Sequence, residues 1–195
     1  MRLFVALDLD GDASQAIAVL QQRIAKALEA NRSIKQVDPA HMHLTLAFLG
    51  EIAEAAVPAV IDRLSANIDV RQFAAEFQGL GVFPPRGAPR VLWLGVEAGA
   101  EKIVEVQRAV ASRVERLGVA LERRPFHPHL TLARWKTSKA STTSKTSCAT
   151  DRQRALSADT HKPVARVNID HATLYQSRLS PGGPTYTALT RANLT

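Results

Sequence analysis

The chain has 195 residues, of which 46% are hydrophobic and 22% are charged, and its formal net charge is +7. This composition is that of an ordinary globular protein and excludes fibrous, disordered and large multidomain architectures. Apolar runs stay well below the ~18–20 residues that cross a bilayer, and the first is too short for a signal peptide, so we expect a cytoplasmic protein.

Apolar periodicity predicts a chain of strands and helices. In chain order, the patterns predict a strand at 2–9, a helix at 14–30, a strand at 43–49, a helix at 54–68, strands at 72–83 and 89–97, a helix at 101–117, and strands at 127–134, 164–176 and 184–191. A further short strand fits before the strands at 43–49 and 127–134. This order of elements predicts a layered domain of mixed helices and sheets.

One heptapeptide occurs twice, as HMHLTLA at residues 41–47 and as HPHLTLA at 127–133, with six of seven positions identical at an offset of 86 residues. Self-similarity at a fixed offset indicates an internal duplication. We therefore expect a single domain over the whole chain, with pseudo-symmetric lobes of about 1–85 and 86–195 that exchange strands.

The duplication weakens after the second heptapeptide. By the offset, the helix at 54–68 should recur near 140–154, but the sequence there is polar and has no apolar stripe. We expect a mobile loop with a short helix at 151–158. Residues 134–166 hold eight basic and two acidic residues, so the segment either attracts a polyanion or forms a solvated surface loop.

Each heptapeptide places two histidines and one threonine on one face, because side chains alternate between the faces of a strand. These residues are His41, His43 and Thr45 in the first copy and His127, His129 and Thr131 in the second. If the copies pack with pseudo-twofold symmetry, their polar faces surround one cleft. Arg134 follows the second copy and adds a fixed positive charge.

These residue types suit cleavage of a phosphodiester bond. One group must take a proton from the nucleophile and another must give a proton to the leaving oxygen, and imidazole can do either because its pKa is about 6.5. A threonine hydroxyl can donate to a non-bridging phosphate oxygen as charge develops. We therefore interpret His43 and His129 as the acid/base pair, and Thr45 and Thr131 as phosphate-binding residues.

Other interpretations of the histidines remain open. Two histidines at i and i+2 of a strand can also bind zinc, although neither strand offers a carboxylate or thiolate ligand. His41 and His127 are then better interpreted as residues at the rim of the cleft. A third H-x-T, from His171 to Thr173, falls outside the repeat and is interpreted as accidental, and Asp8 as a residue that merely precedes a helix.

The two H-x-T-x motifs, at 43–46 and 129–132, make the chain resemble the two-histidine phosphoesterase superfamily. Within it, the sequence is most similar to the RNA 2′,3′-cyclic phosphodiesterases, historically called 2′-5′ RNA ligases. The similar segments are RLFVALDL, HLTLAFLGEI, GVFPPRGAPRVLWLGV, RPFHPHLTLAR and LYQSRLSPGGPTYTAL. Residues 136–160 depart from the family pattern, which puts the substrate range in question.

The resemblance implies an α+β fold in which two antiparallel sheets face each other across a central cleft, with helices outside. It implies hydrolysis of a terminal 2′,3′-cyclic phosphate of RNA to a 2′-phosphate, without a metal or other cofactor. It assigns the role of general acid to His43 and that of general base to His129, and phosphate binding to Thr45, Thr131 and Arg134. A duplicated chain that builds its own cleft is expected to be a monomer.

Three alternatives to this activity stay open at the level of sequence. The same residues could join RNA ends through a 2′-5′ bond, or could hydrolyse a small cyclic nucleotide or an ADP-ribose cyclic phosphate. A non-catalytic module could bind RNA ends through the basic surface alone. A zinc-binding protein would instead hold stoichiometric metal and lose stability with a chelator.

Overall fold

The computed structural model describes residues 1–28, 34–121, 124–135, 145–159, 162–181 and 183–195. Within these ranges, the helices are α1 (Gly11–Ala27), α2 (Val57–Ser65), α3 (Ala100–Glu115) and α4 (Lys145–Leu156). The strands are β1 (Arg2–Asp8), β2 (Ile34–Gln36), β3 (His43–Glu51), β4 (Phe73–Phe83), β5 (Val91–Val96), β6 (His129–Trp135), β7 (Ala165–Ile169), β8 (His171–Ser180) and β9 (Gly183–Asn193). No helix in the described part is both long and apolar enough to cross a membrane.

The strands form two sheets in which the paired strands run antiparallel. The first sheet has the order β3-β1-β8-β9, and the second has the order β2-β6-β5-β4-β7. Each sheet therefore takes strands from both ends of the chain. β3 of the first sheet also contacts β6 of the second, so the two strands that contain the heptapeptides meet. This arrangement confirms the predicted α+β fold of two antiparallel sheets.

Helix α1 shows how local sequence and packing fix an element. Asp10 precedes the helix, and its carboxylate accepts a hydrogen bond of 2.8 Å from the backbone N–H of Ala13, which satisfies one of the free donors of the first turn. The buried face contains Ile17, Leu20 and Ile24, at the three- and four-residue spacing of one helical face. The predicted helix begins at 14 because apolar spacing alone does not reveal the cap at Asp10.

Two strand predictions need correction. The predicted strand at 164–176 is two strands, because the chain leaves the second sheet after β7, turns at Asp170, and enters the first sheet as β8. A short strand, β2, does precede the first heptapeptide, but it pairs with β6 in the other sheet. Residues 124–126, before the second heptapeptide, contain no strand, and β6 begins at His129 rather than at 127.

The polar segment after the second heptapeptide is also more ordered than predicted. Helix α4 begins at Lys145 and ends at Leu156, so the expected loop is wrong at 145–150, the expected short helix at 151–158 is confirmed as far as Leu156, and residues 136–144 lie outside the described residues. Arg152 of α4 donates hydrogen bonds of 2.7–3.0 Å to the carbonyl oxygens of Pro84, Pro85 and Gly87, and Ala155 is fully buried. These tertiary contacts anchor a helix that has no apolar stripe.

Gln21 links α1 to the second sheet and provides a test of this packing. Its buried amide donates hydrogen bonds to the carbonyl oxygens of Val37 (2.8 Å) and Leu132 (3.0 Å). We expect Gln21→Ala to lower the free energy of unfolding by about 1–3 kcal/mol, because the partly buried Val37 carbonyl loses this donor. Urea denaturation of the variant measures the change.

The exposed neighbour Gln22 supplies the matched control on the same helix. Gln22→Ala should change the free energy of unfolding by less than about 0.5 kcal/mol, as is usual for surface positions. Equal losses in the two variants would contradict the role of the Gln21 hydrogen bonds.

Candidate active site

The two strands that contain the heptapeptides, β3 and β6, share an irregularity. In β3, Thr45 and Ala47 pair with consecutive residues of β1, so Leu46 has no partner of its own. The same register shift occurs in β6 at Leu132, 86 residues later. Each strand therefore contains a β-bulge at the same position of the repeat, and a bulge redirects the side chains that follow it.

The bulge in β6 brings Arg134 to the face of His129. Strict alternation from His129 would place Arg134 on the opposite face, with the core residues. Instead, Leu132 and Ala133 are both buried and Arg134 is exposed. The guanidinium then lies close enough to both His43 and His129 to lower the pKa of each. The positive charge of Arg134 therefore acts on both imidazoles.

Both imidazoles are oriented by a backbone carbonyl two residues upstream. The Nδ1 atom of His43 lies 2.9 Å from the carbonyl oxygen of His41, and that of His129 lies 2.7 Å from the carbonyl oxygen of His127. A carbonyl oxygen only accepts, so Nδ1 carries the hydrogen in each ring. In the neutral rings, this leaves the lone pair on Nε2, where a proton can be taken up or released.

Aromatic rings enclose the first imidazole. The ring centre of Phe4 lies 4.8 Å from that of His43, and that of Tyr186 lies 5.2 Å from it in an edge-on arrangement. Tyr186 also packs edge-on against His41 at 5.4 Å. His41 thus supplies a carbonyl oxygen to the site while its own ring packs beside it, which is consistent with a place at the rim.

The second imidazole has a corresponding set of neighbours. Phe83 packs edge-on against His129 with 5.1 Å between ring centres, and Trp93 lies 6.2 Å away. Trp93 also packs against His127 at 4.9 Å. The sequence analysis missed these aromatic residues because they lie on strands distant in sequence, and only the sheet pairing brings them to the motifs.

Burial governs the protonation of both histidines. Loss of water is the largest influence on His43 and on His129, and it lowers the pKa of each from the usual 6.5 because the charged form is less well solvated. In each histidine, the hydrogen bond to the backbone carbonyl raises the pKa and so offsets part of this shift. The negative charge of Asp8 further opposes the shift at His43.

Asp8 has a place in the structure that the sequence analysis did not assign. It is the direct cross-strand partner of His43, and its carboxylate accepts hydrogen bonds from Thr173 (2.7 Å) and Tyr175 (2.6 Å). His171 contacts the same carboxylate at 3.1 Å. The available signal was strand alternation, since Asp8 lies on the same face of β1 as Phe4, which packs against His43. An open cavity of about 630 Å³ borders this cluster.

Thr45 and Thr131 lie two residues after the histidines, before the bulges, and both are half-buried. Thr45 pairs with Ala6, and Thr131 pairs with Trp93. Their position on the histidine face follows from alternation alone. Their predicted role in phosphate binding stays a prediction. Among the described residues, no three histidine, cysteine or acidic side chains are grouped as a metal site would require.

The lowered pKa values of the two histidines predict how stability depends on pH. In the unfolded chain, both imidazoles titrate near the usual 6.5, whereas in the folded chain they titrate below it. The unfolded state therefore binds more protons in this interval, and the free energy of unfolding falls as the pH drops below about 6.5. Below the pKa values that the two histidines have in the folded chain, their contribution to the free energy of unfolding no longer changes with pH.

We expect thermal melts to show this loss between about pH 7.5 and pH 5, and to show it less in a variant with glutamine at both positions 43 and 129. The doubly substituted chain serves as the control because it keeps the other titrating groups. An identical pH dependence in the two proteins would assign the loss to those other groups.

Comparison with known proteins places the chain in a family. A family model described as the 2′-5′ RNA ligase superfamily matches residues 20–180. The RNA 2′,3′-cyclic phosphodiesterase of Archaeoglobus fulgidus is 32% identical over 186 residues, covering 95% of this chain and 96% of that protein. The protein of that name from Thermus thermophilus is 33% identical over an alignment of 206 residues, covering 100% of this chain and 90% of that protein.

Solved structures agree with the sequence matches. The Thermus thermophilus protein TT0787 superposes with a TM-score of 0.75 at 29% identity, covering 99% of this chain and 97% of that one. E. coli LigT complexed with 3′-AMP superposes with a TM-score of 0.73 at 29% identity, covering 100% of this chain and 98% of that one. These matches confirm the resemblance seen in the two histidine motifs: the chain belongs to the 2′-5′ RNA ligase superfamily.

Proposed function

We propose that the chain hydrolyses the 2′,3′-cyclic phosphate at the end of an RNA and leaves a 2′-phosphate, with His43 as general acid and His129 as general base. The main support is the site itself. The two strands in contact present two imidazoles with Nδ1 bound to a carbonyl oxygen, and one guanidinium acts on both rings. The names of relatives in the family support the same substrate.

The reaction needs one proton taken and one proton given. Nε2 of His129 accepts a proton from water as the water oxygen attacks phosphorus, and the bond between phosphorus and the 3′ oxygen breaks. Nε2 of His43 gives its proton to the departing 3′ oxygen. General acid and base catalysis of this kind contributes typically ~10²–10⁴-fold each. The negative phosphate favours the charged form of His43 while the substrate is bound.

The remaining residues act on the phosphate. The hydroxyls of Thr45 and Thr131 donate to the non-bridging oxygens, and the Arg134 cation stabilises the charge that builds on them. This part of the site requires no proton transfer. It explains why a hydroxyl follows each histidine on the same face and why the bulge that redirects Arg134 matters to the reaction.

The basic segment at 134–166 is a weaker argument for RNA than its charge indicates. Arg152 is bound to three turn carbonyls, and Arg166 lies 3.9 Å from the carboxylate of Glu76. Both are engaged in contacts of the fold. The proposal for an RNA substrate therefore rests on the histidine site and on the relatives. Arg134 is the residue of the basic segment whose charge acts on the histidines.

The decisive experiment incubates the purified chain with a short RNA that ends in a 2′,3′-cyclic phosphate, in excess EDTA, and follows the phosphorus by ³¹P NMR. We expect a 2′-phosphomonoester, and the variant with alanine at position 129 controls for contaminating nuclease. A 3′-phosphate product, or turnover that returns only when zinc is added, would contradict the proposed reaction. Adding an RNA with a free 5′-hydroxyl tests for 2′-5′ joining by the same site.

We also expect the chain to be a monomer, because both halves of the cleft come from one chain: β3 and β6 meet within it. Sedimentation equilibrium at micromolar concentration measures the mass, for which 21.2 kDa is the monomer value. An obligate dimer would show that the site includes a second copy. The cytoplasmic location stays a prediction.

A further inference from the structure

The third H-x-T of the sequence is part of a side-chain cluster at the end of β1. His171, Thr173 and Tyr175 alternate along β8 and all contact the carboxylate of Asp8. Thr173 is fully buried and donates to Oδ2 at 2.7 Å, whereas Tyr175 donates to Oδ1 at 2.6 Å. Both oxygens of Asp8 are therefore held in place, and the carboxylate has little freedom to turn away.

This fixed carboxylate stands beside only one of the two histidines. Asp8 is the cross-strand partner of His43, whereas the cross-strand partner of His129 is Gly95. After burial and the backbone hydrogen bond, the next influence on His43 is Asp8, which raises its pKa. For His129 the corresponding influences are His127 and Arg134, which both lower its pKa.

We propose that Asp8 is a positioning residue that keeps the proton of the reacting pair on His43 and thereby leaves His129 as the base. The inference rests on the proposed function, because acid and base roles exist only in a pair that transfers protons. Asp8 does not touch the reacting atoms. It acts through the charge that it presents to the neighbouring strand, and β8 fixes the position of that charge.

The other groups that face His43 oppose Asp8 or are neutral. His41, from the turn before β3, and Arg134, from β6, both lower the pKa of His43. Tyr186, from β9, packs edge-on against the ring, and burial raises the pKa of its hydroxyl, so it stays neutral at physiological pH. The His41 carbonyl also raises the pKa of His43, but His129 has the same contact with the His127 carbonyl, so Asp8 is the influence that favours the imidazolium of His43 alone.

Asp8 has one acidic and two basic neighbours on β8, on β9 and at the turn before β8. His171 bridges Asp8 and Asp170, with 2.5 Å between its Nδ1 atom and the Asp170 carboxylate. When His171 is neutral, the two carboxylates outnumber the one guanidinium of the cluster, that of Arg191, and the cluster is negative. Arg191 acts on Tyr175 from β9, and the Tyr175 hydroxyl stays neutral because burial and Asp8 raise its pKa.

The proposal predicts a difference between the histidines that NMR can measure without any turnover. In the wild-type chain, the imidazole of His43 should titrate at a higher pH than that of His129. In Asp8→Asn, which keeps the size of the side chain, the midpoint of His43 should fall by about one pH unit, the lower end of the usual effect of an adjacent opposite charge. The midpoint of His129 should move by less than about a third of that.

Kinetics supply the second readout. The alkaline limb of the kcat/KM profile, which reports the acid, should move to lower pH in Asp8→Asn by the same amount, and Asp8→Glu should restore most of it. Asp62→Asn removes an equal charge from an exposed position of α2 and should move neither midpoint. Circular dichroism checks that each variant is folded.

Two results would overturn the proposal. One is a wild-type chain in which His129 titrates above His43, a test that depends on no variant. The other is a folded Asp8→Asn chain in which the midpoint of His43 is unchanged or moves no more than that of His129. Absence of turnover by the wild-type chain would contradict the proposed function instead, and the two midpoints would still decide the role of Asp8.

Discussion

Replacing either His43 or His129 by alanine is expected to lower turnover of a cyclic phosphate by at least ~10²-fold while the protein stays folded. Each imidazole is held by a backbone carbonyl and presents Nε2 to the shared site, so each removal deletes one proton transfer. Both rings are only partly buried, and neither is among the fully buried residues that form the core. Steady-state kinetics and thermal melts of the two variants provide the measurement.

His41 and His127 supply the matched controls. Their carbonyl oxygens orient the reacting rings, but the backbone is unchanged when the side chain becomes alanine. The His41 variant loses ring packing against Tyr186, and the His127 variant loses ring packing against Phe83, Trp93 and His129. Each also loses an electrostatic influence that lowers the pKa of the neighbouring histidine. These substitutions should cost less than about 10-fold, below the usual range for a general acid or base. Near-wild-type activity in His43→Ala or His129→Ala would exclude that residue from the mechanism.

Arg134→Ala should have the second large effect, a fall in kcat of about 10²–10³-fold, as is typical when one group that stabilises developing charge is removed. The guanidinium, which directly follows the second heptapeptide, lowers the pKa of both histidines. Arg134→Lys keeps the charge but loses the planar pair of donors, so it should recover only part of the rate. Single-turnover kinetics separate this loss from substrate binding.

Arg166 provides the control for the loss of a positive charge. Its side chain is 71% exposed and lies near Glu76 on the second sheet, so Arg166→Ala should leave kcat close to the wild-type value. If both arginine variants lose activity through KM alone and to the same extent, Arg134 serves only to attract the polyanion, and its assignment to the transition state is wrong.

Local patterns were sufficient to predict the histidine faces. Strand alternation places His43 with Thr45, and His129 with Thr131, and the repeat places the two pairs in equivalent strands. The α+β fold and the family followed from the same motifs. These features depend on neighbours in sequence, and the structure and the comparisons confirm the fold and the family.

Features that depend on contacts between distant residues could not be predicted. Alternation alone puts Arg134 on the wrong face of β6, because nothing in the amino-acid sequence indicates the β-bulge at Leu132. The break at Asp170 appears only once β7 and β8 are seen to join different sheets. The Asp8 carboxylate is held by Thr173 of β8, more than 160 positions away in sequence, and α4 is anchored by a turn rather than by an apolar stripe.

The paired bulges make the two histidine strands differ in the side chains that follow them. After the bulge, β6 presents Arg134, whereas the equivalent position of β3 presents Phe48, whose side chain is 59% exposed and lies 6.1 Å from the ring of Phe4. The backbone is nearly the same on the two sides, but one side offers a cation and the other an aromatic surface. A ligand that spans both strands cannot be turned end for end without exchanging these contacts. Two copies of one motif have thus become a site with a defined polarity.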